Sequence, residues 1–144
     1  MAEERRRVKF IVGGEPVGKG RPRVVNRNGF SRAYTPKKTV NYEANVRMEY
    51  EIQTGNYRFP DEAMLDMRIL AFYTIPKSAS KKKQAAMVSG AIRPTKKPDA
   101  DNVVKGIADS LNQIAYRDDT QIVDCQVRKF YSETPRVEVI IQEV

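Results

Sequence analysis

Residues 63–75, AMLDMRILAFYTI, are apolar on both phases of a two-residue repeat, and they constrain the fold more than any other stretch of the chain. A strand with one face in water alternates polar and apolar residues, whereas a strand apolar on both faces belongs inside a sheet. The segment therefore predicts a long strand in a central position, ended by Pro76.

Candidate neighbours for that strand lie near both ends of the chain. Val8 to Val12 alternates Lys9 with apolar residues and stops at Gly13-Gly14. Gln121 to Tyr131 would place Val123, Cys125 and Val127 inward, with Asp124, Gln126 and Arg128 outward. Thr134-Pro135 then turns the chain into a last strand, Arg136 to Glu143, carrying Val137, Val139 and Ile141 on one face. These last two strands are expected to form an antiparallel hairpin.

Three helices are expected as well. The longest opens with Thr35 as N-cap and Pro36 at the first helical position, runs to about Gln53 and stops at Gly55. Tyr42, Val46 and Tyr50 form its seam, with Val40, Ala44 and Met48 beside it as core or subunit-interface residues. A short basic helix spans 78–90, from Ser78 or Ser80 to Gly90. In a third, over about 102–113, Val104, Ile107, Ala108, Leu111 and Ala115 recur at spacings of three and four. The fold class is α/β (α+β), a mixed sheet of three or four main strands with packed helices. A chain of 144 residues with 40% apolar content suits one domain over 1–144, with residues 1–7 frayed.

The net charge of +8 is unevenly placed. Residues 1–40 hold eleven Lys or Arg against three Glu, and residues 77–105 hold eight against two Asp, while 41–76 and 106–144 are each net negative. Two such basic stretches are the electrostatic footprint of a protein that grips a polyphosphate backbone. In the first, Lys19, Arg21, Arg23, Arg27 and Arg32 surround an Asn28-Gly29 turn signal, which predicts a basic hairpin or arm over 15–34. In the second, Lys81, Lys82 and Lys83 are either phosphate contacts or a solvated turn, and Lys96 and Lys97 lead into acidic residues. The lysine run lacks the broad apolar face of a membrane-surface helix.

Absences narrow the chemistry. There is no histidine, which removes the usual neutral-pH general base and every Ser-His or Cys-His scheme. The lone Cys125 cannot close an internal disulfide, and a reducing, cytoplasmic compartment is expected. No apolar run of about 18 residues and no signal-peptide pattern is seen, so neither a membrane span nor export is expected. Gly18-Lys19-Gly20 is too short to be a nucleotide-binding P-loop.

Carboxylates gather at both ends of the third expected helix. Asp101 is placed as its N-cap, with Asp99 on an extended approach that Pro98 enforces at Lys97. Lys105 lies one turn beyond Asp101 on the same face, and Asp118-Asp119 precedes the next strand. Each piece alone is ordinary: a cap, a surface Asp-x-Asp, a turn. Together they could supply the few carboxylate oxygens that a hard divalent cation such as Mg²⁺ prefers. Asp109, two turns past Asp101, is expected to pair with Lys105 or solvent and stays outside that set.

The run KPDADNVVKGIADSLN followed by DDTQIVD resembles the signature of the RusA family of Holliday-junction resolvases, small endonucleases common on phages and prophages. The match covers about 28 residues; the chain length, the basic N-terminal part and the Tyr-Thr-Pro before the first long helix are also similar. The resemblance implies that Asp99, Asp101 and Asp119, assisted by Asp118, hold Mg²⁺ (with Mn²⁺ as a substitute), that Lys105 supports catalysis, and that a homodimer nicks four-way DNA junctions symmetrically during recombination and repair. Two other readings stay open: a non-catalytic DNA-binding protein that uses the same basic patches, and a flap-type structure-specific nuclease.

Overall fold

In the computed structural model, residues 6–19, 23–27, 29–34 and 37–144 are described, with the backbone alone for 23–27 and 30–34. Arg21, the turn position Asn28, and the expected cap Thr35 with Pro36 lie outside the described residues. The chain runs β1 (Arg7–Gly13), β2 (Arg23–Arg27), β3 (Phe30–Tyr34), α1 (Lys37–Thr54), β4 (Leu65–Thr74), α2 (Lys81–Ser89), α3 (Ala100–Ser110), β5 (Ile122–Ser132) and β6 (Arg136–Glu143). A one-turn 3-10 helix, Asp119–Gln121, precedes β5. The architecture is α+β: a four-stranded mixed sheet ordered β1-β6-β4-β5 with three helices packed against it, plus the separate β2-β3 hairpin.

Strand β4 is interior, as its sequence demands. Leu65, Met67, Ile69, Ala71 and Tyr73 are fully buried on one face, together with Phe10 and Val12 of β1 and Val137, Val139 and Ile141 of β6. Tyr50 and Val46 of α1, and Val103, Ile107 and Leu111 of α3 and its end, complete this core. On the other face Phe72 stacks on Phe130 at 5.7 Å and lies under the Arg136 guanidinium at 3.9 Å. That layer covers the second apolar phase of β4 with an aromatic pair and a cation.

The expected hairpin between the last two strands is not what forms. β5 pairs with β4 in parallel, Ile69 opposite Val127, while β6 pairs antiparallel with β4 on one side and with β1 on the other. The short connection at Thr134-Pro135 therefore passes over the end of β4, which gains a partner on each edge. β5 is left at the sheet edge, so Val123 and Cys125, expected to point inward, are exposed.

Local signals fared better. Ser80 caps α2, its side chain accepting from the Lys83 amide at 3.2 Å, and Gly90 ends it in the left-handed conformation (φ 85°). Gly55 does the same after α1 with φ 66°. Arg27 pairs with Phe30, and Gly29 has φ 80°. On α1, Val46 and Tyr50 are buried, whereas Val40, Met48 and Ile52 stay exposed. Of residues 1–7, expected to fray, 1–5 lie outside the described residues; the Arg6 carbonyl accepts the Glu143 amide at 3.1 Å and the Arg6 guanidinium lies 4.3 Å over the Tyr57 ring. No helix among the described residues is long and apolar enough to cross a membrane.

Candidate active site

Helix α3 starts earlier than its apolar spacing suggests. Ala100 is a strong helix former, and the Asp99 carbonyl accepts the Val103 amide at 3.0 Å, which closes the first turn. Asp99, extended at φ −73° and ψ 164°, is therefore the N-cap residue, and Asp101 sits inside the first turn. This corrects the expected cap, and it changes what the carboxylates do. The Asp99 side chain caps no backbone amide; it accepts Nδ2–H of Asn102 at 2.5 Å and has the Asp101 carboxyl beside it. Those two contacts, then the more distant Lys129 charge, hold Asp99 below the usual carboxylate range although it is open to solvent. Lys105 is exposed on the same helix.

The irregular segment 91–98 delivers the chain to Asp99. It includes a cis Lys97-Pro98 peptide. Its backbone is held from the sheet: Tyr73 Oη donates to the Pro98 carbonyl at 2.5 Å, and Lys129 Nζ to the Lys96 carbonyl at 2.7 Å. Arg93 Nε returns a bond to the Lys129 carbonyl at 2.8 Å. The Lys129 ammonium lies 4.9 Å from the Tyr73 ring centroid. Burial lowers the pKa of Lys129, against the opposing pull of Asp99.

Across α3, residues 17–19 pack closely on the helix. The Lys19 amide donates to the Asn102 carbonyl at 3.1 Å, and Gly18 fits where a Cβ would come within 2.9 Å of Pro98 and 3.1 Å of Asn102. Lys19, expected among the phosphate-gripping cations, has its ammonium 2.7 Å from Glu43 and 3.6 Å from Asp109. Burial opposes its charge, but the hydrogen bond and charge of Glu43, with Asp109, outweigh that and raise its pKa. Between this loop, α1 and the 96–98 segment opens a cleft of about 820 Å³, with Asp99 and Tyr73 in its wall and Lys38, Lys96 and Lys97 around it.

Asp118 and Asp119 lie beyond the far end of α3. Asp118 is a cap: its carboxylate accepts the Thr120 amide at 3.1 Å, which lowers its pKa, and Gln121 Oε1 accepts the amides of Arg117 and Asp118. Asp119 is fixed by its amide, which donates to Asn112 Oδ1 at 2.9 Å, and its carboxyl lies near that of Asp109. Burial, then the charges of Asp118 and Asp109, push Asp119 above the usual range. Among the described residues no group of three or more carboxylates or thiols is placed to hold a metal ion. The structure brings Asp99 together with Asp101, and Asp119 with Asp109, as two separate pairs. An adjacent pair still suits Mg²⁺, which commonly takes one or two carboxylates and completes its shell with water and phosphate oxygens. Asp99 and Asp101, exposed beside a cleft with a lysine rim, fit that description; Asp118, occupied as a cap, fits it less well.

Comparison with known proteins places the chain in a family. The family described as "Endodeoxyribonuclease RusA" matches residues 13–142, nearly the whole chain. The chain belongs to the RusA endodeoxyribonuclease family. A relative in Bacillus subtilis (strain 168), "Uncharacterized protein YqaN", is 43% identical over 139 residues, covering 95% of this chain and 96% of its own length. In this RusA-family chain, the sequence alone pointed to Asp99, Asp101, Lys105, Asp118 and Asp119, but it missed three groups that bear on the same site. Asp109 meets Lys19 and Asp119 instead of being left to Lys105 or solvent. Asn112 holds Asp119, and Lys129 reaches over Tyr73 to the backbone beside Asp99. The signal for Lys129 was present in its phase: it falls in step with Val127 and Tyr131, on the inward face of β5. The side chains of Arg23, Arg27 and Arg32 lie outside the described residues, while Lys81, Lys82 and Lys83 are exposed on α2.

Proposed function

We propose that this chain, acting as one endonuclease domain over 1–144, resolves Holliday junctions by paired symmetric nicks during DNA recombination and repair. The observation that carries the reading is the adjacent Asp99–Asp101 pair, open to solvent beside a cleft around which Lys38, Lys96 and Lys97 gather, in a chain of the RusA family. Asp99 and Asp101 would hold Mg²⁺, or Mn²⁺ in its place, with Asp119, assisted by Asp118, as the further carboxylates of the site. When bound, the ion supplies an activated water and neutralises charge on the phosphoryl oxygens. Without histidine, the chain's own share is electrostatic and positional. Lys105 faces the developing charge, Lys96 and Lys97 hold the flanking phosphates, and Lys81 to Lys83 extend that track along α2. The arm carrying Arg21, Arg23, Arg27 and Arg32 grips a neighbouring duplex. A two-fold homodimer presents the same site twice, which is what two symmetric nicks require.

The test is cleavage of an end-labelled synthetic four-way junction with Mg²⁺, beside Asp101→Asn protein and a metal-free control. Paired nicks that need metal and vanish in the variant, while the variant still binds the junction, are the expected result. Tight binding with no cutting in Mg²⁺ or Mn²⁺ would leave a junction-binding protein, and efficient cutting of flaps but not four-way junctions would change the substrate.

A further inference from the structure

Segment 91–98 has no helix or strand of its own to set the direction in which Asp99 points. Its free carbonyls need partners, and a carbonyl that turns toward solvent turns the following residue with it. Two of them are met by side chains from the C-terminal ends of the parallel strands: Pro98 by the Tyr73 hydroxyl and Lys96 by the Lys129 ammonium. We propose that Tyr73 and Lys129 are positioning residues for the acidic pair: as a two-point clamp on the Lys96 and Pro98 carbonyls, they set the direction from which Asp99 meets Asp101. The proposal rests on the reading that Asp99 is a metal ligand.

Three features favour a clamp over simple packing. Tyr73 is 1% exposed, so its phenol is a fixed reference point. Lys129, opposite Ala71, and Tyr131, opposite Tyr73, share the inward face of β5. The Lys129 ammonium thus lies over the Tyr73 ring, and the two donors are set against each other. Finally, Arg93 bonds the Lys129 carbonyl, so the segment is tied to the same strand residue at both ends of its run. The alternative is a lysine stem that merely covers an aromatic ring while its head reaches water. A site displaced by about 1 Å can lose on the order of 100-fold in rate, so such a clamp would matter even though it touches no substrate.

The experiment uses full-length Tyr73→Phe, Lys129→Met and Lys129→Arg proteins, with Asp99→Asn as the reference. Mn²⁺ binding is followed by electron paramagnetic resonance of the free ion, single-turnover cleavage in saturating Mg²⁺ and junction binding without metal. Tyr73→Phe, which changes no charge, should weaken Mn²⁺ binding roughly 5- to 10-fold and slow cleavage at least as much, with junction affinity within about 3-fold of the parent. Lys129→Met decides by sign: losing a cation beside Asp99 would by Coulomb's law tighten Mn²⁺, whereas a loosened clamp weakens it. Lys129→Arg, which can still donate to the Lys96 carbonyl, should recover much of the loss. Unchanged or tighter Mn²⁺ binding in Lys129→Met, or parental behaviour of Tyr73→Phe, overturns the clamp. So does an equal loss of Mn²⁺ binding in Phe130→Leu, a change on the opposite face of β5 chosen to lower the melting temperature equally. If Asp99→Asn itself binds Mn²⁺ and cuts like the parent, the underlying site reading fails; if it loses both while the clamp variants do not, only the clamp fails.

Discussion

Gly18→Ala is the sharpest stability test, because the structure sets two opposing effects on one loop. A Cβ at Gly18 would lie 2.9 Å from the Pro98 Cβ and 3.1 Å from the Asn102 Cβ, against a preferred carbon separation of about 3.5 to 4.0 Å. Neither neighbour can swing away, since one is a proline ring and the other is rooted in the first turn of α3. Overpacking of this kind costs about 1 to 3 kcal/mol, from which a loss of unfolded-chain entropy on replacing glycine returns about 0.4 to 1 kcal/mol. A net destabilisation of about 1 to 2 kcal/mol should lower the melting temperature by roughly 2 to 8 °C for a chain of this size. Gly106→Ala is the internal comparison. Its Cβ would meet the Val17 carbonyl at 3.1 Å and Tyr42 at 3.6 Å, a milder conflict offset by the roughly 0.8 to 1.0 kcal/mol that alanine gains over glycine inside a helix. Differential scanning calorimetry on both variants should rank Gly18→Ala well below the parent and Gly106→Ala close to it. A Gly18→Ala protein that melts at or above the parent temperature, or the reverse ranking, would refute the close packing of residues 17–19 on α3.

Three further outcomes follow from the site and the core. Asn112→Ala removes the acceptor of the Asp119 amide and should cost about 1 kcal/mol in urea denaturation, with an approximately 10-fold loss of junction cleavage and unchanged junction binding in gel shifts. Lys19→Met leaves Glu43 and Asp109 facing each other across a three-quarters-buried ion pair; stability should fall by about 1 to 2 kcal/mol, a loss that persists in 0.5 M salt if the pair is as sheltered as it looks. Burial pushes the Tyr50 and Tyr73 phenols from 10.0 up to about 12, helped in Tyr73 by the charges of Asp99 and Glu15. The unfolded chain then ionises these groups first, so their stabilisation is intact below pH 10 and is lost as pH rises toward 12; urea midpoints at pH 9 and pH 11 should differ in that direction.

What the sequence revealed depended on how far apart the deciding residues lie. Ser80, Gly90 and Gly55 act on their own helix ends, so each was legible locally. The interior place of β4 was also legible, because apolar residues on both phases leave few alternatives. The pairing of β5 was not: its alternation is equally compatible with lying beside β6 or beside β4, and only the demand of β4 for two partners decides between them. The same limit explains the site. Asp99 and Asp101 are close in sequence and their neighbourhood was foreseeable, although which one begins the helix turned on a single carbonyl of the first turn. The placing of Asp109 against Lys19, and of Lys129 against the 96–98 backbone, joins residues 90 and more than 30 positions apart, and no local pattern encodes such meetings.

Strands β4 and β5 are joined by roughly fifty residues that include α2, α3 and all of the proposed acidic groups, and closing so long a loop is slow relative to forming a helix or a hairpin. During synthesis the basic arm and the lysines of α2 leave the ribosome well before Lys129 does. A nascent or partly unfolded copy would therefore carry its cations before the backbone beside Asp99 is tied to the sheet. The order of the chain thereby makes the approach to Asp99 one of the last parts of the fold to be fixed, after the sheet has closed.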